Sequence, residues 1–175
     1  MFLLNIKLFY LFYVLIISSV RLFKTRINLR ILLIKLEYKK NGDRIMEKFS
    51  PIAIVTILSL IQAYFFAIQV GRARMKYGVM APLTSGNEEF ERHYRVHQNT
   101  IEQLIIFIPA LWIFGFFMDV YVGSGVGILF LVGRILYRSA YLKDPKTRSL
   151  GFGLGALAIA ILSIGGLYGA LKMMV

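Results

Sequence analysis

Residues 90–103, FERHYRVHQNTIEQ, bring charged and amide side chains to the start of an apolar segment, LIIFIPALWIFGFF. On a helix that turns about 100° per residue, four of these side chains fall within an arc of about 80°: Arg92, Arg95, Asn99 and Glu102. An ionised residue near the middle of a bilayer is penalised by about 2.5 to 3.5 kcal/mol on insertion scales, so Glu102 and Asn99 must face protein or water rather than lipid. A carboxylate at that depth needs a cation.

A second polar face can supply that cation. Arg134, Tyr137 and Tyr141 have the spacing i, i+3, i+7 of one helix face, and Arg148 lies just beyond it. The spacing leaves several interpretations open. Glu102 pairs with Arg95 or Arg134 and only locks the helices together, or its carboxylate belongs to a functional site. A small proton-coupled transporter that uses Glu102 is a further alternative.

Metal and nucleic-acid chemistry are not predicted. The chain has no cysteine and two histidines without an acidic cluster, so we expect no metal site and no thiolate nucleophile from the protein. The net charge of +12 comes without a recognisable nucleic-acid motif, and its distribution fits a membrane protein better. We therefore expect no nucleic-acid partner.

The composition indicates an integral membrane protein, because 58% of the 175 residues are hydrophobic and only 17% are charged. Four windows are mostly apolar over the roughly 20 residues that a helix needs to cross a bilayer. They are about 50–71, 99–119, 121–141 and 150–171. Short connections between them favour an all-α, four-helix up-down bundle that crosses the membrane several times.

Capping residues predict where the first two helices begin and end. Ser50 is a plausible N-cap with Pro51 in the first turn, and the first span is predicted to end at Gly71. A loop before a second helix that begins near Glu88 is indicated by Gly78, Pro82 and Gly86.

Polar amides and small residues predict which faces contact other helices. Gln62 and Gln69 lie seven residues apart on one face, and because unpaired amides are costly in lipid, that face should look toward protein. Small-xxx-small spacing, which lets helices approach closely, occurs at Gly123, Gly127, Gly151 and Gly155.

Residues 1–45 are predicted to be an N-terminal extension that the native protein lacks, or else an additional apolar and basic segment such as a signal or a further span. The positive-inside rule places the 72–98 and 142–149 connections in the cytoplasm, and both ends of a bundle spanning 46–175 outside. A first span followed by nine basic residues between 21 and 48 would invert that arrangement. Met46 is then the expected start. Mass spectrometry of the native N-terminus tests this, and a peptide from residues 1–40 would contradict it.

Three motifs, PLTSG, FERHYRVHQNTIE and GRILYRSAY, occur in this order within residues 50–165, and there the sequence closely resembles the MAPEG family of membrane proteins. The resemblance implies a four-helix subunit that forms a homotrimer and binds glutathione between adjacent subunits near the cytoplasmic side. Transferred position by position, the implied glutathione ligands are Arg74, Arg95, Asn99, Glu102, Tyr137 and Tyr141. His97 and Gln103 stand where family members carry glutamine and tyrosine, so they are further candidates.

The implied activity is that of a membrane-bound glutathione transferase or peroxidase acting on lipophilic electrophiles or lipid hydroperoxides from the bilayer, without a metal. Arg148 falls on the arginine that stabilises the glutathione thiolate in the family. Because a guanidinium stays protonated, Arg148 cannot act as a base, but its charge lowers the pKa of a nearby thiol.

The alternative is a non-enzymatic lipid-binding or scaffold member of the same family. Retention of Arg148 and the tyrosine pair favours an enzyme. Met75 stands where some members carry a second arginine, which argues against a specialised epoxide-opening role.

Overall fold

The computed structural model describes the backbone of residues 2–174 and the side chains of residues 30, 32, 34–40, 42–44 and 47–174. The protein is all-α, as predicted: over residues 2–174 it consists of four α-helices and a 3-10 turn, with no strand. The helices are α1 (Phe2–Tyr77), α2 (Glu88–Phe117), α3 (Val120–Lys143) and α4 (Ser149–Lys172), and the 3-10 turn is Pro145–Thr147. Four helices over the searched residues are long and apolar enough to span a membrane, which confirms the predicted class.

The chain divides into two compact units, residues 1–47 and residues 48–175. In the first unit the described side chains are all exposed. The interpretation of residues 1–29 as a signal or an additional span lies outside the residues whose side chains are described. The second unit contains the end of α1 together with α2, α3 and α4.

The predicted ends of the first helix are wrong. Ser50 is not an N-cap, because α1 continues through it and Pro51 lies inside the helix. Pro51 removes one backbone hydrogen bond there, and the residues on both sides of it are nevertheless helical. The helix also passes Gly71 and ends at Tyr77, where Gly78 adopts a positive φ of 66°. The Val79 N–H then donates to the Arg74 carbonyl oxygen (3.2 Å), which closes the helix end.

The second helix begins where the sequence predicts. Asn87 is the N-cap of α2, and its Oδ1 accepts a hydrogen bond from the Phe90 N–H (3.1 Å). Glu91 Oε1 accepts a hydrogen bond from the Gly86 N–H (2.9 Å), so one N–H before the helix and one in its first turn both have a side-chain acceptor. Asp119 caps α3 in the same way, accepting from the N–H groups of Tyr121 (2.9 Å) and Val122 (2.8 Å).

The amides of α1 do face protein, as predicted, and both reach α3. Gln62 Nε2 donates to the Leu131 carbonyl oxygen (3.1 Å), and Gln69 Oε1 accepts from Arg138 Nε (2.7 Å). The apolar core of the bundle contains the rings of Phe107 and Phe130, which are stacked with their centroids 3.9 Å apart. Many large apolar side chains on the outside remain exposed in the subunit, which suits contact with lipid or further protein.

Small residues bring α3 and α4 together at the end of the bundle that bears Arg148. A Cβ added at Gly151 would overlap backbone atoms of Tyr137, and one added at Gly133 would lie 2.9 Å from the Gly155 backbone nitrogen. Gly123 and Gly127 instead face side chains of α1 and α2. The close approach of α3 and α4 therefore fixes the position of Tyr137 relative to the start of α4.

Substituting Gly151 with alanine is expected to destabilise the protein, because α3 and α4 would have to separate. Overpacking of this kind costs about 1 to 3 kcal/mol in free energy of unfolding. Gly153→Ala is the matched control, since a Cβ there meets nothing within 4 Å. Thermal unfolding of the detergent-solubilised variants measures the difference, and equal unfolding temperatures would contradict the packing described.

Candidate functional site

The polar face of α2 lies at the surface of the protein. Arg95 and Glu102 are exposed, and Asn99 between them is half-buried. Asn99 Nδ2 makes a long hydrogen bond of 3.5 Å to Glu102 Oε2. Among residues with described side chains, no Lys or Arg lies within 4.0 Å of the Glu102 carboxylate; the ion pairs join Arg92 to Glu88 and Glu89. The alternative that Glu102 locks the subunit by pairing with Arg95 or Arg134 is not what the structure contains.

Two tyrosines of α3 face this region. Tyr137 is buried and Tyr141 half-buried, with ring centroids 5.4 Å apart. The guanidinium carbon of Arg148 stands 5.3 Å from the centroid of the Tyr141 ring. Tyr141 thereby links the end of α3 to the residue that precedes α4.

The turn between α3 and α4 presents Arg148. Asp144 Oδ1 accepts from the Lys146 N–H (3.0 Å), and the Asp144 carbonyl oxygen accepts from the hydroxyl of Thr147 (2.8 Å). Arg148 follows this turn directly, and no side chain caps the start of α4. The exposed guanidinium and the uncapped N–H groups of the helix start both favour an anion here.

These elements enclose a cavity of about 650 Å³. Five of the predicted site residues line it: Arg95, Asn99, Tyr137, Tyr141 and Arg148. Four more lining residues were not singled out from the sequence: Pro145, Lys146, Ser149 and Phe152. The lining contains three cations and no carboxylate, so the cavity suits an anionic ligand.

The remaining predicted residues lie elsewhere in the subunit. Glu102 is one helical turn from Asn99 but does not line the cavity. Gln103 is buried, and its Oε1 accepts from Arg134 Nη1 (3.3 Å). Arg74 donates to the carbonyl oxygens of Val79 (3.3 Å) and Leu83 (2.7 Å), and its guanidinium carbon lies 4.7 Å from the Phe90 ring centroid.

His97 is half-buried on α2 and is also absent from the cavity lining. Its position on the helix explains this, because it follows Arg95 by two residues and so points to a different face. In this structure, therefore, Arg74, His97 and Gln103 do not join the five residues around the cavity.

Arg92 fixes the geometry of the cavity from outside its lining. Its Nη1 donates to the carbonyl oxygens of Leu142 (3.2 Å) and Lys143 (3.4 Å) at the end of α3, while Nη2 pairs with Glu88 Oε1 (2.6 Å). A smaller cavity of about 420 Å³ lies beside it and shares Arg95, Tyr141 and Pro145 with the larger one. The sequence placed Arg92 on the polar face of α2, and its guanidinium contacts Glu88 and Glu89 of that helix as well as the end of α3.

Comparison with known proteins decides the family. A model of the MAPEG family matches residues 52–168 of the chain. The chain belongs to the MAPEG family. The MAPEG match covers all the predicted site residues, from Arg74 to Arg148. It leaves residues 1–51 outside.

Three MAPEG relatives illustrate the similarity. An uncharacterised protein of Synechocystis sp. is 46% identical over 115 residues, which is 66% of this chain and 84% of the relative. Human microsomal glutathione S-transferase 2 is 40% identical over 118 residues, 67% of this chain and 80% of the enzyme. Rat leukotriene C4 synthase is 33% identical over 102 residues, 58% of this chain and 68% of the synthase. At the level of the family, the chain is thus related to glutathione S-transferases of membranes.

Proposed function

We propose that the protein is a membrane-bound glutathione transferase that conjugates glutathione to lipophilic electrophiles or uses it to reduce lipid hydroperoxides. The observation that carries the proposal is the composition of the large cavity, where Arg95, Lys146 and Arg148 face hydrogen-bonding side chains without any carboxylate. Glutathione brings two carboxylates and a thiol that can ionise, so it supplies the negative charge that this lining lacks. The named glutathione transferases among the relatives support the same substrate.

Each polar group of glutathione has a partner of suitable chemistry near the cavity. Arg95 with Asn99 and the tyrosine hydroxyls suits the carboxylates, and Glu102, one turn along α2, suits the glutamyl ammonium. Arg148 suits the sulfur, because a positive charge favours the thiolate over the thiol.

The reaction follows from the ionised sulfur. In conjugation, the thiolate attacks an electrophilic carbon and forms the new carbon–sulfur bond. From an aryl halide the halide departs with its electron pair; in an unsaturated carbonyl compound the π electron pair moves to the carbonyl oxygen, and the resulting enolate takes up a proton from water. In peroxide reduction, the thiolate attacks the terminal oxygen, the O–O bond breaks and the alcohol is released. A second glutathione then converts the resulting sulfenic acid to the disulfide and water.

We also propose that the working assembly is a homotrimer with its sites near the cytoplasmic side. Glu102 is exposed in the single subunit although it lies in a membrane-spanning helix, which is costly against lipid. Arg74 and His97 lie apart from the cavity of their own subunit, so a site shared between neighbours is the arrangement in which they approach a ligand. The basic connections around 72–98 and 142–149 favour the cytoplasmic side for this end.

Glutathione consumption by the purified wild-type protein in lipid nanodiscs tests the proposal. With a panel of aryl halides, unsaturated carbonyl compounds and lipid hydroperoxides, we expect at least one second substrate to be turned over above the uncatalysed rate. Lipid binding that is indifferent to glutathione, with no turnover across the panel, would favour the non-enzymatic scaffold and contradict the proposed function.

A further inference from the structure

A buried arginine lies behind the cavity and is not part of its lining. Arg134 of α3 is 0% exposed, and all its hydrogen bonds go to side-chain oxygens of α2. Its Nη1 donates to Asn99 Oδ1 (3.0 Å) and Gln103 Oε1 (3.3 Å), and its Nη2 to Thr100 Oγ1 (2.8 Å). The guanidinium carbon also stands 4.3 Å from the centroid of the Tyr137 ring.

The charge of Arg134 is not neutralised by an acidic group. Among the residues with described side chains, none of the carboxylates forms an ion pair with it. Burying a cation in this way is costly. Here neutral oxygens accept from Nη1 and Nη2 and an aromatic ring lies against the guanidinium, while the Nε–H is buried without a hydrogen-bond partner. A purely structural link between α2 and α3 would be made at lower cost by apolar side chains of similar volume.

The contact with Arg134 fixes the orientation of the Asn99 amide. A guanidinium has only donors, so the Asn99 atom that faces it must be the carbonyl oxygen. The Asn99 NH₂ group therefore points the other way, as its long contact with Glu102 Oε2 confirms. Asn99 lines the cavity and its carbonyl oxygen is engaged by Arg134, so its NH₂ group is the part of the amide left for a ligand.

We infer that Arg134 is a positioning residue that sets ligand specificity: it holds the Asn99 amide so that Asn99 offers a ligand its N–H donors and not its oxygen, which favours a carboxylate over an uncharged amide at that position. This inference rests on the proposed function and adds the residue that determines which end groups are accepted. Without Arg134 the amide of Asn99 is free to rotate, offer its oxygen and accept a hydrogen bond from an amide ligand. The protein then discriminates less between a ligand carboxylate and an uncharged amide.

The test compares glutathione with two analogues, each with one carboxylate converted to a primary amide, by calorimetry on protein in nanodiscs. For wild type, we expect the analogue altered at the carboxylate near Asn99 to bind about 10- to 100-fold more weakly, as for the loss of one hydrogen bond to a charged group. In Arg134→Met that ratio should fall to within a few-fold. Arg138→Met is the matched control, because Arg138 lies one turn along α3 and bonds Gln69 of α1 instead. Its ratio should equal that of wild type.

The outcomes distinguish failure of the proposed function from failure of the inference about Arg134. If wild type binds neither glutathione nor the analogues, the proposed function fails. If wild type discriminates between glutathione and the amide analogue, and Arg134→Met discriminates equally while binding both more weakly, Arg134 is only structural and the inference is wrong.

Should Arg134→Met not assemble, Asn99→Asp replaces it, because the new carboxylate pairs with Arg134 and offers a ligand only acceptors. We expect it to reverse the preference toward the amide analogue, and an unchanged preference would overturn the inference.

Discussion

Replacing Arg148 with alanine is expected to remove most of the thiolate that glutathione forms on the protein. An ordinary thiol has a pKa of about 8.5, so about 3% is ionised at pH 7, whereas a pKa of about 7 gives about half. Arg148 is the exposed cation at the start of α4, beside the Tyr141 ring and at the edge of the large cavity. Absorbance near 240 nm on adding glutathione measures the thiolate directly.

The magnitude required of Arg148 is modest. A shift of about 1.5 pKa units corresponds to about 2 kcal/mol, which a single charge in a partly shielded cavity can supply. The effect has a definite direction with pH. Because the charge lowers the thiol pKa, wild type should keep its thiolate signal as the pH falls from 8.5 to about 7, while Arg148→Ala should lose it near 8.5.

Two variants control this experiment. Arg148→Lys keeps the charge without the planar fork and should retain part of the signal. Lys143→Ala removes an exposed cation of the same region that does not line the cavity, and should leave the signal at the wild-type level. An Arg148→Ala protein that binds glutathione and still shows the full thiolate absorbance at pH 7 would rule out the role assigned to Arg148.

Glu102→Gln is expected to weaken glutathione binding by about 10- to 100-fold while the protein still folds. The substitution keeps the shape of the side chain and removes its charge, so an ammonium of the ligand loses a charge-assisted hydrogen bond. Among the residues with described side chains, Glu102 hydrogen-bonds Asn99 at 3.5 Å and forms no ion pair, so loss of its charge should cost little stability. Calorimetric affinity and thermal unfolding give the two readouts.

Glu89→Gln provides the comparison for Glu102→Gln. Glu89 is also a carboxylate of α2, with a side chain that is 47% exposed, and its contact with Arg92 (3.4 Å) is of the kind that contributes little. That variant should bind glutathione like wild type. If Glu102→Gln instead failed to assemble while whatever folded bound glutathione normally, Glu102 would be a structural residue of the assembly.

Much of the fold could be predicted because its signals are local. Each of the four apolar windows falls on a helix that is long and apolar enough to span a membrane, and α2 begins at Glu88, as the sequence predicted. The error at Ser50 has a clear cause: an N-cap and a proline in the first turn look the same as a proline inside a longer helix when only local residues are considered. The start of the native protein at Met46 stays a prediction.

The site was predictable only in part. Helical spacing brought out the Arg95, Asn99 and Glu102 face and the tyrosine pair, and the structure sets five of the predicted residues around one cavity. Spacing does not reveal which atoms meet across helices, so the hydrogen bonds of Arg134 to Asn99 and Gln103 were not foreseen. Nor does it show that Arg74 holds the loop after α1 through Val79 and Leu83.

The account depends on one claim, that the cationic cavity bordered by Arg95 and Arg148 binds glutathione. Titration calorimetry of the intact assembly in nanodiscs with glutathione tests it most directly. We predict saturable binding with a dissociation constant in or below the millimolar range. Because the contacts are charged, this binding should be lost at salt concentrations that leave the protein folded. Absence of saturable heat at millimolar glutathione, from protein shown to be folded, would contradict the account.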